Sequence, residues 1–152
     1  MSEPPVVSRP ARILVPVDLS PRAEIAIAHA AMLAEACDAE LLLVTNVNLP
    51  EQAALEEFAR REGTSTDDAA DAALRCIASR LAPGIPVSTL ATFADYPADG
   101  ILDAAERHAA DMIVVASHGR GGVKRWLLGS VAEKLARGSH VPVVVVPARQ
   151  DD

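Results

Sequence analysis

Five short segments, each too brief for an ordinary helix, constrain this chain more than anything else in it, and the first of them is a nearly continuous apolar run. They lie at residues 13–17, 41–47, 87–93, 112–116 and 141–146. Hydrophobicity that is continuous rather than alternating fits strands covered on both faces, as in a parallel sheet. The stretches between them change period. Ser20 is placed to cap a helix and Pro21 suits its first position. Ala23, Ala26, Ile27, Ala30, Leu33, Ala34 and Cys37 then recur at three-to-four spacing, while Arg22, Glu24, His29, Glu35 and Asp38 fall mostly off that stripe. Residues 48–66 show no strand period and allow a short helix over 51–58 before the break at Gly63. An alanine-rich helix over 66–81, with Ala69, Ala73, Cys76, Ile77 and Leu81 on one side, stops at Pro83-Gly84. Pro97 opens a helix carrying Ile101, Leu102, Ala105 and Ala109 inward, and residues 129–137 form the last one. Strands alternating with helices predict a doubly wound α/β fold with helices on both faces of a parallel sheet.

The length of 152 residues suits a single domain that buries its own core. We expect it over 11–148, between tails at 1–10 and 149–152. Only 3% of the residues are aromatic, so that core must be built from Ala, Val, Leu and Ile. Cys37 and Cys76 belong to no CxxC pair and read as reduced core residues. A net charge of -7 argues against a nucleic-acid partner, which needs a basic face. The first ten residues hold no apolar run resembling a signal peptide, and no 18 consecutive apolar residues occur anywhere. A cytoplasmic protein without membrane contact is the expectation.

In such sheets ligands bind outside the carboxyl ends of the strands, where the strand order reverses. Two strand ends are equipped for this. The first reaches Asp18. The fourth runs into residues 117–130, where Gly119, Gly121 and Gly122 let main-chain N–H groups approach an anion. Gly129-Ser130 then begins a helix whose unpaired N–H groups favour phosphate. Arg120, Lys124 and Arg125 add positive charge to an otherwise acidic chain. Neither G-x-x-x-x-G-K-[ST] nor, after the first strand, G-x-G-x-x-G is present, which excludes a P-loop and disfavours a dinucleotide site.

Ser117-His118-Gly119, then nine residues, then Gly129-Ser130 resembles the glycine motif of nucleotide-binding universal stress proteins: Gly, two residues, Gly, nine residues, Gly, then Ser or Thr. Residues 13–18 with Ser20, Pro97-Ala98 with Ile101, and Val141-Pro142-Val143 on to Pro147 resemble the same family, so that the likeness covers about residues 11 to 147 in order. The resemblance implies a five-stranded sheet in the order 3-2-1-4-5 and ATP, alone or with Mg²⁺ or Mn²⁺, beside the first and fourth strands. It implies that Asp18 meets the adenosine, that backbone around residues 45–47 meets the adenine edge, and that Gly119, Gly129 and Ser130 hold ribose and phosphates. The nucleotide-contacting set it implies is Pro16, Val17, Asp18, Asn46, Ala116, His118, Gly119, Arg120, Gly122, Gly129, Ser130 and Val131. It further implies a homodimer paired through residues 141–146 and a regulatory role in stress response with at most slow ATP hydrolysis.

Ala116 departs from the motif, which has Gly there. Its methyl points either toward the sugar and phosphates, weakening affinity, or into the sheet, changing nothing. Asp95 departs too, standing where the family often has Gly. The bland readings are specific: Asp18 bracing a turn, Ser130 as a plain helix cap, His118 as an ordinary loop histidine, and Trp126, Leu127 and Leu128 anchoring the loop by their apolar side chains. A protein of the same fold that binds no nucleotide and acts by dimerisation is the alternative. An enzyme is a third reading, against which the lack of a recognisable base or second carboxylate weighs. His29, His108 and His140 show no metal spacing.

Overall fold

A computed structural model describes residues 2–19, 23–47, 49–118 and 128–147. Its elements, in order, are β1 (Arg12–Pro16), α1 (Ala23–Cys37), β2 (Glu40–Asn46), α2 (Leu49–Glu62), α3 (Thr66–Ala78), β3 (Val87–Thr92), α4 (Pro97–Arg107), β4 (Met112–Ala116), α5 (Ser130–Gly138) and β5 (Val143–Val146). The five strands form one parallel sheet in the order β3-β2-β1-β4-β5, as expected from the resemblance. Residues 2–9 are exposed and carry no regular structure.

Alternation along β1, β2 and β4 sets apolar side chains on both faces of the sheet. Ile13, Val15, Val17, Leu41, Leu43, Val114 and Val146 face one side, where they meet α1 and Leu74 of α3. Leu14, Leu42, Val44, Ile113 and Val115 face the other, against Ala98, Ile101, Ala104 and Ala105 of α4 and Ala132 and Leu135 of α5. Val47 extends into a smaller cluster with Leu55 and Ala59 of α2 and Ala69 and Ala70 of α3. Each large aliphatic side chain so buried is worth about 1.5–3 kcal/mol relative to exposure. Among the described aromatics, Phe58, Phe93 and Tyr96 all lie outside on the surface, so the core is aliphatic as composition required.

Four details differ from expectation, the first being that Ala109, expected to face inward on α4, lies exposed beyond its end with φ 51. The second helix is longer, 14 residues rather than a short piece, and it packs on α3. In α3 the inward residues are Ala69, Ala70 and Leu74, which leaves Cys76 exposed rather than in the core; Cys37 is half-buried. Thr89 Oγ1 donates to Asp71 Oδ1 at 2.7 Å and Asp71 pairs with Arg75 at 2.7 Å, fixing the phase of that helix against β3. The last strand begins at Val143 rather than Val141, because the Ser139 hydroxyl accepts the Val141 N–H at 3.1 Å and donates to the Val141 carbonyl at 2.8 Å in a local turn.

At the amino end of the sheet, Asp111 accepts the Ala11 and Arg12 amides at 2.8 and 2.9 Å, and Arg12 bonds Glu40 and the His108 carbonyl. Strands β1, β2 and β4 are thereby fixed in register at this end, leaving the opposite edge to carry the site.

Candidate functional site

The strand registers bring polar residues to one level at the carboxyl edge. Pro16 lies beside Val44, Asn46 beside Thr92, and Leu14 beside Ile113. Carried to the strand ends, these registers put Asp18, Asn46, Thr92 and Ser117 in one row. Alternation places that row on the α4–α5 face, with Leu14, Val44 and Val115 beneath it. The row crosses the junction of β1 and β4, where the strand order reverses.

The first strand continues through the Val17 amide, which donates to the Val44 carbonyl at 2.7 Å. Val17 is buried in the core, while Pro16 and Asp18 are half-buried. The next residue, Leu19, has φ 60, a left-handed angle that costs a residue bearing Cβ about 1–2 kcal/mol and turns the chain sharply after the aspartate. Such angles cluster at binding sites, where surrounding structure enforces them.

On the fourth strand, Ala116 packs against the core cluster on the α1 side, the face opposite the polar row. Its methyl therefore points into the sheet packing, which settles the orientation that the sequence left open. Ser117 is buried at 8% exposure, its amide donates to Val146 O at 2.8 Å, and its hydroxyl lies 3.0 Å from His118 Nδ1. His118 Nε2 is buried with no hydrogen-bond partner among the described residues, an arrangement that leaves hydrogen-bonding capacity unused near the loop.

The helix start differs from the plain-cap reading. Gly129, not Ser130, is the N-cap of α5; it has no side chain to cap with, and Ser130 is the first helical residue. The first intrahelical bond runs from Glu133 N to Gly129 O at 2.9 Å, so the amides of Ser130, Val131 and Ala132 precede the ladder. The Gly129 amide is committed, donating to Ser117 O at 2.7 Å, and so it closes the loop rather than serving an anion. Ser130 is exposed and Val131 packs partly on the α4–α5 core. Glu133 opposes an anion here, but its carboxylate is paired with Arg137 at 3.0 Å one turn on.

Asn46, at 6% exposure, spends its side chain on the protein itself. Its Oδ1 accepts the Ala94 amide at 3.0 Å and the Thr92 hydroxyl at 2.9 Å, and its Nδ2 donates to Ala94 O at 3.0 Å. The turn so held leads to Tyr96, whose ring lies 5.0 Å from Lys134 Nζ on α5. Thr92, Tyr96 and Lys134 were not singled out from the sequence; the one signal available was Gly100 inside a helical pattern, since a Cβ there would stand 2.6 Å from Asn46 Oδ1. Leu128 is 44% exposed, so it does not anchor the loop as expected. Gly119, Arg120 and Gly122, with Lys124, Arg125, Trp126 and Leu127, lie outside the described residues.

Chemically, the carboxyl edge offers a half-buried carboxylate after β1, three helix-start amides after β4, and a turn after β3 held by Asn46. It suits a ligand with both a hydrogen-bonding polar body and an anionic group. Among the described residues no group of three or more His, Cys, Asp or Glu could hold a metal ion, and no helix is long and apolar enough to cross a membrane.

A five-stranded parallel sheet in the order β3-β2-β1-β4-β5, with helices on both faces, defines the class as a doubly wound α/β fold. Residues 11–147 match the model of the universal stress protein family, and the chain belongs to that family. Universal stress protein MJ0531 of Methanocaldococcus jannaschii is 32% identical over 145 residues, which span 89% of this chain and 81% of that one. Universal stress protein Rv2005c of Mycobacterium tuberculosis is 34% identical over 149 residues, 92% of this chain; the match spans only 46%, about half, of that longer relative. Among solved structures, MJ0577 of M. jannaschii superposes with a TM-score of 0.71 at 29% identity, covering 93% of this chain and 97% of that one. A universal stress protein solved in complex with cAMP superposes with a TM-score of 0.63 at 26% identity, covering 93% and 100%.

Proposed function

We propose that the protein is an adenine-nucleotide-binding regulatory module, with ATP its first candidate ligand, and that it works in stress response as a homodimer rather than as an efficient enzyme. The observation that carries this reading is the placement of Asp18 after β1 and of the glycine-capped start of α5 after β4, the two strands between which the strand order reverses. The placement of the Ala116 methyl on the opposite face supports it, because nothing bulky then replaces the motif's missing glycine hydrogen on the ligand side. The relative in complex with cAMP supports an adenine ligand. Asp18 would take the nucleoside and the amides of 130–132 the phosphates. A Mg²⁺ or Mn²⁺ ion would be held chiefly through the phosphates, as Mg²⁺ commonly is. The resident nucleotide would supply a signal of occupancy, altering the surface offered to a partner.

One observation favours the alternative of a nucleotide-free interaction module: the Gly129 amide and the Asn46 side chain are both occupied by the protein's own groups. Equilibrium titration with ATP separates the two. Saturable binding below the millimolar range supports the nucleotide reading; none at millimolar ATP leaves the interaction module. Steady hydrolysis above about 1 per second, ordinary for enzymes, and lost in Asp18→Ala, would instead make the protein an ATPase.

A further inference from the structure

We propose that Asn46 is a positioning residue: it fixes the β3–α4 turn and, through α4, the first turn of α5, while making no contact with the ligand itself. This rests on the nucleotide reading above. Both lone-pair positions of Asn46 Oδ1 are filled, by the Ala94 amide and the Thr92 hydroxyl, and Nδ2 holds the Ala94 carbonyl. Because Ala94 N–H can only donate and Ala94 C=O can only accept, these two bonds also fix which end of the amide faces which group.

The consequence runs outward along the chain. Ala94 stands two residues before Tyr96, the N-cap of α4, whose carbonyl accepts the Asp99 and Gly100 amides at 3.1 and 3.3 Å. The Tyr96 ring then meets Lys134, four residues beyond Ser130. On the other side, the Gly129 amide ties α5 to Ser117 at the end of β4. The ends of β2 and β4 are thus linked at the carboxyl edge of the sheet by Asn46, Ala94, Tyr96, Lys134 and Gly129. The Tyr96–Lys134 contact is exposed and weak on its own; the buried tie between the two helices is the packing of Ala98, Ile101 and Ala105 of α4 with Ala132 and Leu135 of α5, and the Asn46 bonds set where α4 begins. Gly100 belongs to the same device: an added Cβ would meet Asn46 Oδ1 at 2.6 Å and Thr92 Oγ1 at 2.9 Å, so only glycine lets the amide sit where it does.

Two variants disturb this link from opposite sides. Asn46→Asp keeps the acceptor and turns the donor toward Ala94 O into a repelling oxygen; Gly100→Ala pushes on the amide from α4 without altering residue 46. Hydrogen exchange of the Ala94 amide, and Kd for ATP and for inosine triphosphate, are measured on wild type and both variants. We expect faster Ala94 exchange and Kd values raised about tenfold, by the same factor for both nucleotides, since no base contact is lost. Unchanged affinity despite faster exchange overturns the proposal. So does a loss in Asn46→Asp that is confined to ATP, which would make Asn46 a direct adenine contact. Should either variant fail to fold, Thr92→Val, which removes one donor only, is expected to shift exchange and both Kd values the same way by less, and no shift there overturns it. Absence of ATP binding by wild type removes the nucleotide reading and this inference with it; normal wild-type binding with unaffected variants removes only the positioning role.

Discussion

Left-handed residues close three of the helices, and only one is glycine. Asp38 after α1, Gly63 after α2 and Ala109 after α4 have φ of 58, 67 and 51°. In each case the following amide reaches back to a carbonyl five residues earlier: Ala39 N to Ala34 O, Thr64 N to Ala59 O and Ala110 N to Ala105 O, at 2.8, 2.9 and 2.9 Å. The motif satisfies helix-end carbonyls but strains any residue bearing Cβ. Ala109→Gly should therefore stabilise the protein by about 1 kcal/mol, raising Tm by about 2–4 °C; urea unfolding of the variant checks this, and a lower midpoint would refute it. The same scale shows what the sequence could and could not reveal about the site. Asp18 was legible because its position after a buried run is local. The role of Asn46 was not, because its partner Ala94 lies 48 residues on and only the β2–β3 register brings the two together. Nor could the sequence reveal that Thr45, 1% exposed, holds a buried hydroxyl with no partner among the described residues.

At the level of elements, legibility followed the strength of the pattern. Strand β4 was placed at its observed limits because five apolar residues stand between polar neighbours. Helix α3 was found but rotated: with alanine at 69, 70, 72 and 73, small residues occupy every side, and Cys76 was drawn into a stripe that Leu74 and Asp71 in fact define. Helix α5 was placed to within a residue, yet its cap was shifted from Ser130 to Gly129. That shift makes a test of the helix start. Gly129 has φ -59° and ψ 152°, angles open to any residue, and aspartate is a strong N-cap there. Gly129→Asp should hold or raise thermal stability, by a few tenths to about 1 kcal/mol, while weakening ATP binding more than tenfold, because its carboxylate takes the amides that an anion needs. Thermal melts and titrations on one preparation decide it; retained ATP affinity would show that these amides do not face the ligand.

For the molecule as a whole, the sheet has two unequal edges. The fold class was readable from the alternation of strands and helices and the strand order from the family likeness, whereas the edge at β5 is a matter of backbone groups. The Ile113 and Ser117 amides donate to Pro142 and Val146 carbonyls, so the intervening Val143 and Val145 direct their own N–H and C=O groups away from β4. Those groups, beside half-buried valines, suit pairing with a second copy. Val145→Pro removes one outward donor and leaves the β4 ladder intact, a substitution that edge strands tolerate. Light scattering of the wild type should give twice the chain mass and of the variant the chain mass alone, with unchanged circular dichroism; a variant that stays dimeric would place the interface elsewhere. A last property of the whole molecule follows from its aliphatic interior. Phe58, Phe93 and Tyr96 all lie outside the core, so the signal of the single tyrosine, Tyr96, says little about whether the interior is intact. It reports instead on the surface where Tyr96 stands beside Lys134, so a change in tyrosine absorbance without loss of helical ellipticity would mark an event beside α5 while the interior stays folded.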